Sequence, residues 1–353
     1  MAGTSAQSTI LVTGAAGGLG SCIASEITSS AGLAATHHGL YAVRDPLKAT
    51  ALIHALKQKR GASFHHHEII PLNLEKLDQV RDLAADINKR VAEGEIPRIG
   101  AIVLNAGYLE LKEQSWLENG LDMTWTVNYL SQWLLTLLLL QSMDQQKGRI
   151  VVLGSHIHDP YDDFNYGSMG GQYDDERWKT ILGDSIDTIS KGTWSARGEG
   201  TAAHAGLRRY GASKLCLAMM IGELQQRLDQ DPLLNCITIL GIDPGWMATQ
   251  ISRRHPMAWA VSIIMPWVAG LLSWLQPSGM YRTPSRSAKD VVAAAFDIGW
   301  ISGTDAKGTY FKGAVRTDVS AEARDIEKRK MVWKGSVKYA ALQHDDTVLQ
   351  HWN

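Results

Sequence analysis

The sequence predicts an α/β fold in which a doubly wound parallel sheet forms a single domain. Three observations lead to this prediction: short apolar runs alternate with longer helical patterns, a glycine-rich turn follows the first run, and no repeat or low-complexity tract interrupts the alternation. Strands that alternate with helices require right-handed crossovers, which cover both faces of the sheet. We expect the domain to span residues 8–353, after a flexible N-terminus at residues 1–7.

The apolar runs define the predicted strands and helices. Strands are predicted at residues 10–12, 40–43, 69–72, 102–104, 150–153 and 237–240, and helices from about residue 21, at 75–91 and at 214–228. Two further segments, 156–209 and 246–283, exceed what a minimal sheet needs. Both follow predicted strand ends at the edge where open parallel sheets bind ligands. We therefore interpret them as substrate-side insertions, the second as an apolar lid.

The composition is that of an ordinary globular protein. Hydrophobic residues make up 45% of the 353 residues and charged residues 20%, which argues against disorder. A formal net charge of -1 provides no overall field for nucleic acid, so no nucleic-acid role is expected. The 3 cysteines lack zinc or disulfide spacing, and the first residues lack the layout of a signal peptide. We expect a cytoplasmic protein.

Residues 257–275 form an apolar stretch near the lower limit of membrane-spanning length, but Pro266 interrupts it. A transmembrane helix is therefore the less favoured interpretation. We expect the stretch to be part of the lid or pocket wall, with a subunit interface or a peripheral membrane contact as the alternatives. The apolar run at residues 134–140 is too short to cross a bilayer.

A glycine-rich turn lies between the first predicted strand and the first predicted helix. It reads Thr13-Gly14-Ala15-Ala16-Gly17-Gly18-Leu19-Gly20. Glycines allow a tight turn and a close approach to a pyrophosphate, and the helix N-terminus supplies unpaired N–H groups. The alternative is a tight turn without a ligand. We expect a dinucleotide to bind here, through Thr13, Gly14, Ala16, Gly18, Leu19 and Gly20.

The end of the second predicted strand indicates which dinucleotide is bound. An acidic residue there favours NAD, whereas a cation favours the extra phosphate of NADP through charge-assisted hydrogen bonds. Arg44 occupies this place, and Asp45 before Pro46 has the pattern of a helix N-cap. We expect the cofactor NADP(H), with a solvated strand-end role as the alternative for Arg44.

Tyr210 and Lys214 are spaced i,i+4 at what we predict to be the start of a helix, which places them on one face. A lysine beside a phenol can bind a cofactor ribose and favour the phenolate, lowering the pKa of the tyrosine toward the range that acid–base catalysis needs. An exposed tyrosine and lysine on an ordinary helix are the alternative. We expect Tyr210 to be the proton donor.

Taken together, these motifs resemble the short-chain dehydrogenase/reductase family. The resemblance covers about residues 8–250 and is similar to fungal retinol-dehydrogenase-like and ketosteroid-reductase-like members. The matching elements, in order, are the loop Thr13–Gly20, the triplet Asn105-Ala106-Gly107, the helix residue Asn128, the serine Ser155, the pair Tyr210 and Lys214, and the turn Pro244-Gly245 followed by Thr249. The resemblance implies a nicotinamide-dependent oxidoreductase.

The resemblance also implies a role for each matching residue. Ser155 would orient the substrate carbonyl, Tyr210 would donate its proton, and Lys214 would bind ribose and lower the pKa of Tyr210. Asn128 would anchor a water in the proton relay. The expected cofactor contacts outside the glycine loop are Arg44, Asn73, Leu74, Asn105, Ala106, Gly107, Tyr210, Lys214, Pro244, Gly245 and Thr249.

Two features depart from the family pattern. Asn73 stands where the family usually has an aspartate against the adenine, although an amide can still bond to an adenine edge. Residues 156–209 also form a much longer segment between Ser155 and Tyr210 than is usual in the family.

Tryptophan and methionine are concentrated near the expected pocket mouth, at Trp178, Trp246, Met247, Met257, Trp259, Met265, Trp267 and Trp274. Wide apolar pockets suit bulky, poorly soluble ligands. We expect a hydrophobic ketone or aldehyde such as a polyketide, terpenoid or steroid-like molecule, hence a role in secondary metabolism. The expected substrate contacts are His156, Trp246 and Met247.

Three further expectations complete the analysis. A non-redox isomerase, cyclase or scaffold that uses NADP structurally is the alternative function. No metal site is expected. The run His65-His66-His67-Glu68 is consecutive, and on a strand neighbouring residues point to opposite faces. His156, His158 and Asp159 flank Ser155, where contact with the substrate is the favoured role. In the family, the helix containing residues 134–140 packs against a neighbouring subunit, so a homodimer or homotetramer is expected.

Overall fold

An eight-stranded sheet organises the computed structural model, which describes residues 6–57, 64–165, 171–247 and 281–353. The strand order is β3-β2-β1-β4-β5-β6-β7-β8, and every neighbouring pair is parallel except β7 with β8. The predicted fold class is therefore confirmed. The strands are β1 (Ser8–Thr13), β2 (His37–Val43), β3 (His67–Pro71), β4 (Ile99–Leu104), β5 (Arg149–Leu153), β6 (Thr238–Asp243), β7 (Tyr310–Lys312) and β8 (Val315–Thr317).

Helices cover both faces of this sheet. In the described residues they are α1 (Gly18–Ser29), α2 (Ala31–Thr36), α3 (Thr50–Lys57), α4 (Leu77–Ala92), α5 (Met123–Trp125), α6 (Ser131–Leu139), α7 (Asp187–Ser190), α8 (Ala202–Gln230), α9 (Pro284–Phe296), α10 (Ala321–Arg324) and α11 (Ile326–Tyr339). A π-helical turn, Thr126–Leu130, joins α5 to α6, and a 3-10 helix, His156–His158, follows β5.

The strands separate two apolar cores, because successive residues of a strand point to opposite faces. In β1, Leu11 packs into the core beneath α4, α6 and α8, whereas Ile10 and Val12 pack into the core beneath α1, α3 and α9. Both faces of the central strands are buried. This burial explains why those strands are continuous apolar runs and could be predicted from sequence.

Helix α8 begins at Ala202, well before the predicted start at residue 214. The side chain of Thr201 caps it by accepting a hydrogen bond from the N–H of His204. The first turns contain small, basic and histidine residues instead of an apolar stripe, so periodicity did not reveal them. As a result Tyr210 lies inside a long helix and not at its beginning, as had been expected.

The C-terminal residues cover α6. The rings of Trp133 and Trp333 lie 5.2 Å apart, and Tyr129 shares a 2.8 Å hydrogen bond with Ser336. Every residue of α6 is buried. The helix that the resemblance assigns to a neighbouring subunit is therefore covered by its own chain. The homo-oligomer stays a prediction.

Parts of the predicted lid and N-terminus lie outside the described residues. These parts are residues 1–5 and 248–280, which include Thr249 and the stretch 257–275. Within the part of the chain that the structure describes, no helix is long and apolar enough to cross a membrane. The domain boundaries and the peripheral membrane contact stay predictions.

Candidate active site

The expected site residues meet at the carboxyl edge of the sheet. The glycine loop follows β1, Asn105 follows β4, Ser155 follows β5, and Pro244 follows β6. Helix α8 brings Tyr210 and Lys214 to the same edge. This is where doubly wound sheets hold their ligands.

The glycine loop has the shape of a phosphate cradle. Gly14 has a φ of +62°, and a side chain there would come within 2.7 Å of the Cα of Ala106. A Cβ on Gly20 would lie 2.5 Å from the carbonyl oxygen of Gly14. Gly17 is the N-cap of α1 and has no side-chain capping bond, so the first amides of α1 can point at an anion. The loop therefore fits the pyrophosphate of a dinucleotide.

Thr13 and Asn105 brace this loop from behind. The buried hydroxyl of Thr13 accepts from the N–H groups of Asn105 at 3.0 Å and Ala106 at 3.1 Å, and it donates to Gln132 at 2.9 Å. The side-chain amide of Asn105 donates to the carbonyl oxygens of Thr13 at 2.9 Å and Gly14 at 3.0 Å. These two side chains are thus engaged with the protein itself. They set the shape of the loop.

Arg44 extends into solvent beyond the end of β2. Its side chain is 71% exposed and lies 3.5 Å from the carboxylate of Glu75, at the long limit of an ion pair. Asp45 caps the following 3-10 helix by accepting from the N–H of Leu47 at 3.0 Å, as the sequence indicated. The guanidinium of Arg44 is therefore held only loosely by the protein.

The residues after β3 form the adjoining wall. The side chain of Asn73 accepts a hydrogen bond from the N–H of Glu75 at 3.1 Å. Leu74 is buried, and its carbonyl oxygen accepts from the hydroxyl of Ser131 at 2.6 Å. Gly107, in contrast, is exposed at the surface of the neighbouring loop, while Ala106 is buried.

Lys214 is buried and anchored to the sheet. The residue is only 4% exposed, and its Nζ donates a hydrogen bond to the carbonyl oxygen of Leu153 at 2.6 Å. Nζ also lies 5.5 Å from the centroid of the Tyr210 ring. Burial lowers the pKa of Lys214 to about 8, and the negative charge of Asp243 opposes this lowering.

Tyr210 differs electrostatically from the expectation. Burial, with the charge of Asp243 adding to it, raises the pKa of Tyr210 above its ordinary value. We had expected Lys214 to lower this pKa. The pKa is raised instead, because desolvation disfavours the charged phenolate. In this environment the hydroxyl keeps its proton, which suits a proton donor.

Ser155 is the N-cap residue of the 3-10 helix that follows β5. Its hydroxyl faces the N–H of Ile157 at 3.5 Å, and its carbonyl oxygen accepts from Nδ1 of His158 at 2.6 Å. Nε2 of His158 accepts in turn from the N–H of Ser320 at 3.1 Å. His158 thus fixes the Ser155 turn to the C-terminal part of the chain, and both of its ring nitrogens are engaged by the protein.

Asn128 lies in the π-helical turn before α6 and is fully buried. Its amide donates to the carbonyl oxygen of Tyr108 and to the hydroxyl of Ser213, both at 2.9 Å, and its oxygen accepts from the N–H of Tyr108 at 2.7 Å. Because Ser213 is in α8, Asn128 connects the loop that follows β4 to the helix that contains Tyr210 and Lys214. Its side chain therefore has three protein hydrogen bonds, and the predicted water stays a prediction.

The segment between Ser155 and Tyr210 is clamped to α8 by two arginines. Arg208 donates to the hydroxyl of Ser195 at 2.7 Å and to the carbonyl oxygen of Gln172 at 3.1 Å, and Arg209 donates to the carbonyl oxygen of Ser195 at 2.9 Å. The guanidinium of Arg208 lies 3.9 Å above the ring of Trp178. Trp178, which had been expected at the pocket mouth, is thus buried within this segment.

The turn after β6 contains the remaining expected contacts. Gly245 has a φ of +75°, and the carbonyl oxygen of Pro244 accepts from Ser287 at 2.6 Å. The ring of Trp246 packs edge-on against Tyr281 at 5.8 Å. Met247 packs against the core beneath α1 and α9.

Sequence reasoning missed Asp243, the last residue of β6. Its carboxylate is buried, accepts from the N–H of Gly245 at 2.9 Å, and lies 3.8 Å from Nδ1 of His156. Tyr310 was also missed: its ring packs over Gly154, where a Cβ would lie 2.0 Å from the hydroxyl. The sequence signal that could have revealed Asp243 is its position at a predicted strand end, directly before the Pro244-Gly245 turn.

The histidine runs build no metal site in the described residues, where no group of three or more His, Cys, Asp or Glu side chains converges. His65 is buried and pairs with the hydroxyl of Tyr41 at 2.9 Å. Glu68 pairs with His38 and Arg90. These side chains hold β2, β3 and α4 together.

Comparisons with known proteins identify the family. A sequence model of the family described as short chain dehydrogenase matches residues 8–162. The short-chain dehydrogenase iccH of the fungus Talaromyces variabilis is 42% identical over 98% of this chain and 99% of its own length. The chain belongs to the short-chain dehydrogenase/reductase family. The resemblance stated from the motifs is confirmed, and membership places the chain among the oxidoreductases.

More distant members of the family match nearly the whole chain. Human retinol dehydrogenase 13 is 27% identical over 95% of this chain and 85% of its own length. Protochlorophyllide reductase B of Oryza sativa subsp. japonica is 25% identical over 96% of this chain and 79% of its own length.

Solved structures share the fold. A protein of Mycobacterium paratuberculosis superimposes with a TM-score of 0.61 at 19% identity, covering 96% of this chain and 95% of its own. The NADPH-bound carbonyl reductase from chicken fatty liver gives a TM-score of 0.56 at 14% identity, covering 89% and 100%. At such identities the likeness concerns the fold.

Proposed function

We propose that this short-chain dehydrogenase/reductase is an NADPH-dependent reductase that converts a ketone or aldehyde on a bulky hydrophobic molecule into an alcohol, or performs the reverse oxidation. The observation that carries the proposal is the pair formed by half-buried Tyr210 and buried Lys214, whose ammonium donates to the carbonyl oxygen of Leu153 at the end of β5, two residues before Ser155. A polyketide, a terpenoid or a steroid-like compound of secondary metabolism is the class of substrate we propose.

The cofactor would lie along the carboxyl edge of the sheet. The glycine loop at Gly14–Gly20 would bind its pyrophosphate, Arg44 its 2′-phosphate, and Lys214 its nicotinamide ribose. The wall formed by Asn73 and Leu74 would contact the adenine. When bound, NADPH supplies the hydride that the carbonyl carbon accepts.

The protein's own groups would handle the carbonyl oxygen. The hydroxyl of Ser155 would donate a hydrogen bond to it, which fixes its position against Tyr210. As the new C–H bond forms, the O–H bond of Tyr210 breaks and its proton passes to the carbonyl oxygen. The ammonium of Lys214 would stabilise the resulting phenolate until Tyr210 is reprotonated from solvent.

The substrate class is supported by the residues after β6 and by the names of relatives. Trp246 and Tyr281 form an aromatic pair beside Gly245, and both lie within the predicted lid, residues 246–283. Two relatives are named for retinol and for protochlorophyllide, both large molecules with extended apolar frames. NADPH rather than NADH is supported by Arg44 and by the NADPH-bound carbonyl reductase that shares the fold.

The test is a Tyr210→Phe variant assayed for NADPH consumption against a panel of hydrophobic ketones and aldehydes. Loss of the proton donor should lower turnover by about 100-fold or more while NADPH affinity, followed by its fluorescence, stays within about twofold. Tyr161→Phe is the matched control, because this tyrosine is exposed and should be neutral. If the wild-type protein binds NADPH tightly and consumes none with any carbonyl, the non-redox alternative is favoured.

A further inference from the structure

Asp243 is a buried carboxylate at the centre of the proposed site. The residue is 2% exposed at the end of β6. One carboxylate oxygen accepts from the N–H of Gly245 at 2.9 Å, and the other lies 3.8 Å from Nδ1 of His156, too far for a hydrogen bond. A buried charge without a close ion pair acts strongly on its neighbours, because the surrounding dielectric is low.

The backbone places this charge beside the proton-transfer pair. Strands β5 and β6 are parallel, with Leu153 opposite Ile242, and Gly154 donates to the carbonyl oxygen of Ile242 at 2.8 Å. Nζ of Lys214 donates to the carbonyl oxygen of Leu153. The ammonium of Lys214 is therefore bound to Leu153 of β5. Leu153 lies opposite Ile242 of β6, and Asp243 is the next residue after Ile242.

The charge of Asp243 has the same effect on both members of the pair. A negative neighbour favours the neutral phenol over the phenolate, and it favours the ammonium over the amine. In Tyr210 it adds to the effect of burial and raises the pKa further. In Lys214 it opposes the effect of burial, which alone would lower the pKa more.

Resting on the proposed reductase function, we propose that Asp243 is a positioning residue whose buried negative charge keeps a proton on both Tyr210 and Lys214. The site is thereby set to donate a proton to a carbonyl oxygen, and it is a poor base toward an alcohol. Asp243 acts through Tyr210 and Lys214 and need not touch the substrate.

The other groups that face Asp243 leave its charge uncompensated near neutral pH. Burial lowers the pKa of both His156 and His158, so both imidazoles are neutral, and His158 is fixed by Ser155 and Ser320. Burial, together with Asp243, raises the pKa of Tyr310, so its phenol is neutral as well. Lys312, which pairs with Asp243 in the sheet, lies 3.7 Å from the carboxylate of Asp162, so these two charges offset each other.

The experiment compares Asp243→Asn with the wild-type enzyme in both reaction directions. Asparagine keeps an oxygen that can accept from the N–H of Gly245 and removes only the charge. Because Tyr210 and Lys214 titrate as a pair, the measured midpoints belong to the pair. Removing the negative neighbour should move the upper midpoint of carbonyl reduction, and the midpoint of alcohol oxidation, to lower pH by about one unit. The two midpoints are the readout, because the equilibrium constant of the reaction fixes the ratio of kcat/KM in the two directions at any one pH.

Asp231→Asn is the matched control. Its carboxylate is also buried, accepts from the N–H of Leu233 at 2.9 Å, and is not among the charges that act on Tyr210 or Lys214. Its removal should leave both midpoints in place. Asp243→Ser, whose hydroxyl can also accept from Gly245, provides a second neutral variant in case Asp243→Asn does not fold. Asp243→Glu should retain the wild-type midpoints.

A spectroscopic titration separates this inference from the proposed function. The tyrosinate absorbance of each protein, minus that of the same protein with Tyr210→Phe, reports the ionisation of Tyr210 without any turnover. A tyrosinate midpoint that moves to lower pH in the neutral variants supports the role of Asp243. If no carbonyl is reduced in the same experiments, the proposed reductase function is contradicted and the role of Asp243 still stands. A reductase whose rate falls equally at every pH, with an unmoved titration, overturns the inference and leaves the function standing.

Discussion

Arg44 shows how much of the proposed cofactor choice depends on one side chain. Its guanidinium is 71% exposed, and its partner Glu75 is 3.5 Å away, so little has to be broken for it to bind another anion. Asp45, next in the chain, is already occupied by Leu47 and Lys48. At this position the chain therefore offers a cation and no free carboxylate to a ribose.

We predict that Arg44→Ala raises KM for NADPH by about tenfold or more and leaves KM for NADH nearly unchanged, since a charge-assisted contact to the 2′-phosphate is lost. Lys89→Ala is the control, because Lys89 is an exposed cation on α4 paired only loosely with Glu93. Steady-state kinetics with both cofactors measure the effect. A wild-type enzyme that prefers NADH would contradict the prediction.

The expected site residues share a location, but their contacts could not all be predicted from sequence. The strand-end motifs placed Ser155 and Arg44 at the correct edge, because parallel strands end together. Thr13 and Asn105 bond to each other and to the loop, contacts that the motifs did not reveal, and their contacts with the cofactor stay predictions. Asp243 was missed for the same reason: its importance comes from His156 and Lys214, which are distant in sequence.

At the scale of elements, α8 connects the proposed chemistry to the inserted segment. Arg208 and Arg209, in the turns before Tyr210, hold the segment that follows Ser155. Gly211, directly after Tyr210, lets Tyr173 approach: a Cβ there would lie 2.0 Å from the tyrosine hydroxyl and 2.7 Å from the carbonyl oxygen of Ile157. The segment and the Ser155 turn are thus packed against one turn of α8.

We predict that Gly211→Ala destabilises the protein and lowers turnover, because the added methyl pushes Tyr173 and the Ser155 turn away from α8. Glycine to alanine inside a helix otherwise stabilises by roughly 0.5–1 kcal/mol, so the sign of the change is informative. Urea unfolding and the reductase assay measure the two effects. Gly32→Ala, in α2 where nothing lies within 4 Å, is the control. Adding Tyr173→Phe should partly restore Gly211→Ala, and failure to do so would argue against this contact.

Strands and helices could be predicted from sequence mainly where burial against the core requires apolar residues, and less well where an element is short or exposed. The strands β1 to β6 contain apolar runs and were found close to their expected positions, and of these β3 is an edge strand that is only half-buried. The strands β7 and β8 have three residues each, and β8 is exposed, so neither produces a recognisable pattern. The early turns of α8 were missed because Arg208 and Arg209 are buried through hydrogen bonds to the inserted segment, which no periodicity records.

At the scale of the whole molecule, the C-terminal residues complete the core. Trp333 packs on Trp133, donates to the carbonyl oxygen of Trp352 at 2.6 Å, and lies 4.4 Å beneath the guanidinium of Arg227. Thr347 donates to the carbonyl oxygen of Leu137 at 2.8 Å. The last helix therefore joins α6 and α8, whose faces would otherwise be apolar and open.

We predict that Trp333→Ala lowers the free energy of unfolding by about 3–5 kcal/mol, the usual cost of removing a buried tryptophan. Trp116→Ala is the control, since Trp116 is half exposed. Denaturant unfolding measures the stability, and light scattering measures the oligomeric state. An unchanged stability would show that the C-terminal helix is not part of the core. A variant that becomes a larger oligomer would indicate that α6, once uncovered, pairs between chains.

The cover over α6 also has a consequence for how the protein is made. During synthesis α6 is completed long before α11. Until α11 and the C-terminal residues are made, the apolar side chains of α6 are not covered by them. Nascent chains with open apolar surface are prone to aggregate. A chain truncated just before α11 would contain the glycine loop, Ser155, Tyr210 and Lys214 and could still form the sheet. Its expected defect is therefore poor recovery in soluble form, and not a loss of the groups that perform the chemistry.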